Sequence, residues 1–259
     1  MNGFFATIIA TIATTTTVYA LDDIPAFINT DADSISISTA DAAQKVAWKN
    51  VASKLDSLER RTSSSVIRVL HIGDSHIQAE FVTNALRAML QDTYGNAGRG
   101  LVSPLRLAGT NQPVDYTITA PDVTNWRKTR LLKLPWEATP GVTGIAAQPI
   151  KATTTTIKVL GAGHRITLAT ILTANGDRTY TYTTPQDSII INLEANESLY
   201  GAILENGQPG VLYSAIGNNG ACFTDYLLIP GFVKSTKIFH PDLIILSLGT
   251  NEGFSYMTD

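Results

Sequence analysis

The chain has 259 residues, 44% of them hydrophobic and 16% charged, a globular composition rather than a disordered or fibrous one. Its net charge is −3 and its longest basic cluster is Arg60-Arg61, so it lacks the positive field that holds nucleic acid. The lone Cys222 excludes an intrachain disulfide and, with no basic neighbour in sequence, reads as a small apolar residue rather than a reactive thiol.

Phe4 to Ala13 is mostly apolar, Thr14 to Thr17 is polar, and Val18-Tyr19-Ala20 offers small residues where a signal peptidase reads them. Residues 1–20 are therefore expected to be an export signal cleaved after Ala20, although no Lys or Arg precedes the apolar run. That run is too short to span a bilayer, and no other segment is a transmembrane candidate. The expected destination is the periplasm, the cell envelope or the exterior.

Residues 21–65 are expected to carry one helix, Ala40 to Arg60, with apolar positions at Ala43, Val46, Ala47, Val51, Leu55 and Leu58. Val66 to Ile72 is a short, β-branched run suited to a buried strand, ending at Gly73. Ile77 to Leu90 reads as one helix with Phe81, Ala85, Leu86 and Met89 on its apolar face, followed by a glycine-rich loop from Gly95 to Gly100. Strand, tight turn and helix open an α/β domain over residues 66–109.

From about residue 110 to 205 the pattern changes. Threonine becomes frequent and short alternating runs appear at Thr154 to Leu160, Arg165 to Leu172, Thr179 to Thr183 and Ser188 to Leu193. Turn signals at Gly161-Ala162-Gly163, Asn175-Gly176-Asp177 and Thr184-Pro185 separate them, which predicts a β-sandwich or barrel-like module. Trp126, Trp136, Tyr180 and Tyr182 in this module can stack on sugar rings, although core packing is the commoner job of such residues. The α/β character returns over residues 206–259, with a strand at Val211 to Ile216, a short helix at Ala221 to Leu228 and an apolar strand at Asp242 to Leu248.

Three strand ends carry the chemistry. Gly73-Asp74-Ser75-His76 lies between a buried strand and a helix, where a serine is lifted from the sheet edge among backbone N–H groups. Gly73 permits the tight turn and Asp74 can hydrogen-bond within it; an ordinary helix N-cap has the same composition. Gly217-Asn218-Asn219-Gly220-Ala221 follows the second strand, and its glycines let a backbone N–H approach a ligand. Gly249-Thr250-Asn251-Glu252 follows the third, and the Asn251 amide can aim at the same developing oxyanion. In an open parallel sheet such C-terminal strand ends converge on one crevice.

Together these signals resemble the SGNH (GDSL-like) hydrolase superfamily, with the GDSH variant of its first block at Gly73 to His76 and a GTNE version of its third block, commonly GxND, at Gly249 to Glu252. The resemblance implies a flavodoxin-like, three-layer α/β hydrolase domain, incomplete at its C-terminus, interrupted by an inserted β-sandwich of carbohydrate-binding type. The group it is most similar to is that of bacterial exported proteins related to peptidoglycan O-acetylesterases. It implies Ser75 as the nucleophile and an oxyanion hole of the Ser75 N–H, the Gly220 N–H and the Asn251 side chain, supported by Gly73, Asp74 and Gly249. Gly217 stays open as an alternative to Gly220. It further implies an acylated carbohydrate as partner, small acyl groups, and neither cofactor nor metal; the residues likewise show no His, Cys or carboxylate cluster with ligand spacing.

The family's DxxH motif is missing. No D-x-x-H occurs in the chain, and none of His71, His76, His164 and His240 is placed as a convincing base, so the triad's histidine and aspartate are expected beyond residue 259. A glycan-binding protein on a hydrolase scaffold and a lipid or aryl esterase are the rival readings.

Overall fold

The computed structural model describes residues 6–9 and 42–254. In chain order its strands are β1 (Ala6–Ile9), β2 (Val66–Gly73), β3 (Gly100–Val102), β4 (Tyr116–Thr119), β5 (Trp126–Arg130), β6 (Ile145–Pro149), β7 (Thr153–Val159), β8 (Ile166–Thr173), β9 (Arg178–Gln186), β10 (Ser188–Leu193), β11 (Leu199–Glu205), β12 (Gly210–Gly217) and β13 (Leu243–Ser247). The helices are α1 (Ala42–Glu59), α2 (Ser75–Gln78), α3 (Phe81–Tyr94), α4 (Phe223–Leu227) and α5 (Phe232–Ser235). The expected export signal falls on residues 1–20, which lie outside the described residues except for Ala6–Ile9, a strand at the edge of the parallel sheet. Among the described residues no helix is long and apolar enough to cross a membrane.

Four strands form a parallel sheet in the order β1-β13-β2-β12. β2 is buried along most of its length because it has neighbours on both edges and cover on both faces. On one face Ile67, Val69, Val211 and Tyr213 pack with Leu58 of α1, Ile77 of α2 and Leu86 and Leu90 of α3. On the other, Leu70, Ile72, Leu212 and Ile216 meet Tyr226 of α4, Phe232 of α5 and Leu101, Leu172 and Ile203 from the antiparallel strands.

Those antiparallel strands make two sheets, one of three strands (β10-β7-β4) and one of six (β5-β6-β11-β8-β9, with β3 also on β11). A single apolar cluster joins them: Ile118, Ile157 and Ile191 from the smaller, Ile171, Leu199 and Leu204 from the larger. The alternation of β10, exposed and buried in strict turn, places one side of the smaller sheet on this core and the other in solvent. Trp126 is buried in the cluster with its indole N–H on the Asp122 carbonyl, and Tyr180 and Tyr182 pack at its edge. Trp136 packs on the core of the parallel sheet instead and donates to the Leu131 carbonyl.

Several expectations need correction. The helix read as Ile77 to Leu90 is two: α2 ends at Gln78, and α3 starts after Glu80, which adopts φ 56°. The buried side of α3 carries Leu86 and Leu90 together with polar Thr83, Arg87 and Gln91, while Met89 is exposed. Thr184-Pro185 is no turn, since β9 runs on to Gln186; it is an edge strand, where the missing proline N–H costs no ladder bond. β3, which lies ahead of residue 110, pairs with β11. β3, β6 and β11 were invisible to the alternation rule because they are buried on both faces.

The Glu80 break is held by buried charge. Its carboxylate accepts from Arg87 Nη2 at 2.7 Å and Arg99 Nη2 at 2.6 Å, and Arg99 Nε lies 2.7 Å from Asp115 Oδ2. Arg87 and Arg99 are almost completely buried. Their guanidinium planes lie over the rings of Tyr213 and Tyr116 respectively. Burial pushes the Asp115 carboxyl up, but Arg99 and then Arg87 pull it below the usual carboxylate range. The network ties α3 to the loop that enters the antiparallel module. Removing one partner strands the opposite charge in the interior, so Glu80→Ala is expected to lower unfolding free energy by about 3–5 kcal/mol in chemical denaturation.

A second polar chain crosses the parallel sheet. His71 on β2 is hydrogen-bonded through Nδ1 to the Tyr213 hydroxyl on β12 and through Nε2 to Ser247 Oγ on β13 at 2.7 Å. Burial depresses the imidazole to about 4, so it is neutral in the folded protein at neutral pH. An unfolded histidine takes up its proton near 6.5, so between pH 6.5 and about 4 the unfolded state binds more protons than the folded one. Stability is therefore expected to fall with pH across that window, by up to about 1.4 kcal/mol per pH unit from this residue. Denaturation midpoints of wild type and His71→Asn from pH 7 to 4 check it: the variant is expected to show the shallower slope.

Candidate functional site

The three strands that carry the motifs end at one level. Gly73 of β2 pairs with Gly217 of β12 on one side and with Ser247 of β13 on the other. Because all three run parallel, the loops after them leave from the same rim. Two of these strand ends require glycine for space. A Cβ on Gly73 would meet Ile77 Cγ1 at 2.3 Å and the Ser247 carbonyl at 2.5 Å, and one on Gly217 would meet the Gln78 N at 2.1 Å. Gly217 is thus where α2 packs directly against the end of β12.

The loop after β2 is organised by Asp74. Its side chain, buried to 2% exposure, accepts from the His76 backbone N–H and from His76 Nδ1, both at 2.9 Å. Its carbonyl takes the N–H groups of Ile77 and Gln78, so Ser75 becomes the first residue of α2 and stays partly exposed. The loop after β12 is a tight turn closed by the Ala221 N–H on the Asn218 carbonyl, with Gly220 exposed at φ 82°. The Asn218 N–H and the Tyr226 hydroxyl both donate to the Gly73 carbonyl, at 3.2 and 2.6 Å, which joins the first two loops.

The loop after β13 closes the group. Asn251 Nδ2 donates to the Ala221 carbonyl at 2.9 Å and lies 3.4 Å from Asp74 Oδ2. Its side chain therefore touches both other loops. Glu252 fixes this loop, accepting from the Gly249 N–H at 2.9 Å and from the Phe223 N–H, at the start of α4, at 2.7 Å. A small cleft beside the contact is lined by Asp74, His76, Ile77, Val82, Ser247, Leu248 and Thr250.

The structure thus brings Gly73, Asp74 and Ser75 together with Gly217 to Gly220 and with Gly249 and Asn251. It does not bring His164 or His240 to the rim. His164 sits in a short 3-10 turn after β7, and His240 precedes β13 at the end opposite Ser247. His71 is committed to Tyr213 and Ser247 below the rim. Cys222 begins the α4 segment, with its N–H on Asp225 Oδ2 at 2.7 Å; burial, Glu252 and Asp225 all push its thiol up, away from the reactive thiolate. Among the described residues no group of three or more His, Cys, Asp or Glu is placed to hold a metal.

Sequence reasoning missed Gln78, Asn218, Tyr226 and Glu252 as struts of this rim. Asn218 and Glu252 carried a signal, as members of the second and third motifs. Gln78 and Tyr226 hold partners 32 to 153 positions away, which no local pattern reveals.

No family model matches the chain, and no match is found among curated proteins. Among solved structures it is similar to one described as "Peptidoglycan O-acetylesterase in action, 5 min", with a TM-score of 0.64 and 25% sequence identity. The likeness covers 80% of this chain and 62% of that one, so the chain spans somewhat under two thirds of its neighbour's length. This mixed, sheet-rich α/β protein is therefore related in fold to a peptidoglycan O-acetylesterase, which supports a relation to the SGNH hydrolase fold.

Proposed function

We propose that this protein is an exported serine esterase of the SGNH type that removes small acyl groups, acetyl foremost, from a glycan. The observation that carries the reading is the shared level of Gly73, Gly217 and Ser247 together with the contacts of Asn251 Nδ2 to the Ala221 carbonyl and toward Asp74 Oδ2, which supports Ser75, Gly220 and Asn251 acting at one site. In this reading the parallel sheet with its covering helices is the three-layer hydrolase domain, and the two antiparallel sheets are a β-sandwich inserted into it.

The reaction follows from those positions. Ser75 Oγ attacks the ester carbonyl, and the carbonyl oxygen becomes an oxyanion held by the Ser75 and Gly220 N–H groups and Asn251 Nδ2. Collapse expels the sugar hydroxyl and leaves an acyl-serine, which water hydrolyses to the free acid. Gly217 is engaged by the β-ladder and the packing of Gln78, whereas Gly220 is exposed with a positive φ, and this favours Gly220 as the donor. The reading assigns the base to a histidine, oriented by an aspartate, outside the described residues. The peptidoglycan neighbour supports an envelope glycan as the acyl carrier.

A second reading has one observation in its favour. Phe223, Leu227 and Leu228 on and beside α4 are exposed, and Leu132 lies against Gly220, so apolar surface adjoins the same turn. That surface suits a longer acyl or an aryl ester.

Hydrolysis of p-nitrophenyl acetate by the full-length protein is expected to be abolished by Ser75→Ala. Asn251→Ala is expected to lower kcat by about 10²–10³. Wild-type turnover unaltered by Ser75→Ala ends the proposal, and glycan binding without any turnover supports the scaffold rival. Acetate release from O-acetylated peptidoglycan and from acetylated xylan, compared with rates on esters of increasing chain length, separates the two esterase readings.

A further inference from the structure

We propose that Gln78 is a positioning residue for the turn that carries Gly220, and that through it the antiparallel module sets the geometry of the anion-holding site. The inference rests on the reading of Gly220 as an oxyanion donor and goes beyond it, because it assigns work to a residue and a module outside the three motifs.

Gln78 closes α2, three residues after Ser75, and its side chain is buried to 4% exposure. A buried carboxamide must be matched at both ends, and this one is. Its Oε1 accepts from the Asn219 backbone N–H at 2.8 Å. Its Nε2 donates to Thr110 Oγ1 and to Asn111 Oδ1, both at 2.8 Å. Asn111 Oδ1 also accepts from Asn219 Nδ2 at 3.1 Å, so Gln78, Asn111 and Asn219 form a closed ring of amides.

The neighbouring residue is gripped from the other side. The Asn218 N–H is held by the Gly73 carbonyl, and its Nδ2 donates to the Thr143 carbonyl at 3.0 Å, in the segment before β6. The N–H groups of residues 218 and 219 are therefore both anchored, and the Ala221 N–H closes the turn. Peptide units are planar, so fixing the units on either side of Gly220 leaves its own N–H little freedom of direction. Two of the anchors, through Asn111 and through Thr143, come from the loops of the antiparallel module. An oxyanion donor stabilises only if it already points at the charge when the charge forms, and a displacement of about 1 Å can cost on the order of 10² in rate.

The test uses the full-length protein. Gln78→Ala is expected to lower kcat for Ser75-dependent ester hydrolysis by about 10–100-fold while KM changes by less than about threefold. Hydrogen–deuterium exchange over residues 217–221 is expected to rise by about tenfold or more in the same variant, because the Asn219 N–H loses its acceptor. Asn111→Ala, at an exposed position, removes the module's share of the ring and is expected to show the same changes at smaller size; it decides the matter if Gln78→Ala does not fold. Gln78→Glu keeps an acceptor for Asn219 and loses the donors to Thr110 and Asn111, so exchange at Asn219 is expected to stay protected. Unchanged exchange in the turn, or raised exchange with unchanged kcat, overturns this inference and leaves the esterase reading standing. A wild-type protein without Ser75-dependent turnover overturns the esterase reading and the catalytic meaning of Gln78 together.

Discussion

The whole rim depends on the register of three parallel strands. β2, β12 and β13 come from distant parts of the chain, yet Gly73, Gly217 and Ser247 stand side by side where they end. A slip of one residue would flip the side chains of a strand to the opposite face and shift its loop along the rim. What prevents the slip is packing on both faces of the sheet together with the two glycine positions, where only a hydrogen fits beneath α2 or against the Ser247 carbonyl. His71 adds a specific polar tie across the same three strands, with one ring nitrogen for each neighbour. Ladder, packing and polar tie all point to the same alignment, and that agreement across levels makes the loop geometry definite.

The antiparallel module is joined to this sheet by more than chain connectivity. Leu101, Leu172 and Ile203 enter the core that covers one face of the parallel sheet. Glu80, Arg87, Arg99 and Asp115 bind α3 to the entry of the module through buried charge. Such a cluster is costly to desolvate and contributes less net stability than its short distances imply. Its geometric consequence is clearer: Glu80 in the left-handed region ends α2 early and turns α3 away, which leaves Gln78 as the last residue of α2 beside the turn after β12.

Much of the rim was legible in the sequence. β-Branched runs bounded by glycine marked β2, β12 and β13, and the residues after each named the three loops. Alternation marked β10, whose outer face is in water, and failed at β3, β6 and β11, whose faces are both covered. The apolar stripe predicted for the helix after Ser75 failed at Met89 because Arg87 and Gln91 take the buried side: Arg87 finds Glu80 there, and Gln91 the Gly98 and Val211 carbonyls. Charged residues on a buried face are legible only once their partners are known, and here the ionic partners stand 7 to 28 positions away.

The sequence by itself determined the alternation of α/β and β-rich segments, the candidate nucleophile and the three turns, because short-range pattern and turn chemistry are local properties. Only the tertiary structure decided that those turns meet, that Gly217 serves packing while Gly220 is presented to solvent, and that Gln78, Asn218 and Glu252 hold the loops in place. These depend on which strand lies beside which and on hydrogen bonds between distant loops. Such pairings follow from the simultaneous burial of many faces, which no single stretch of chain encodes.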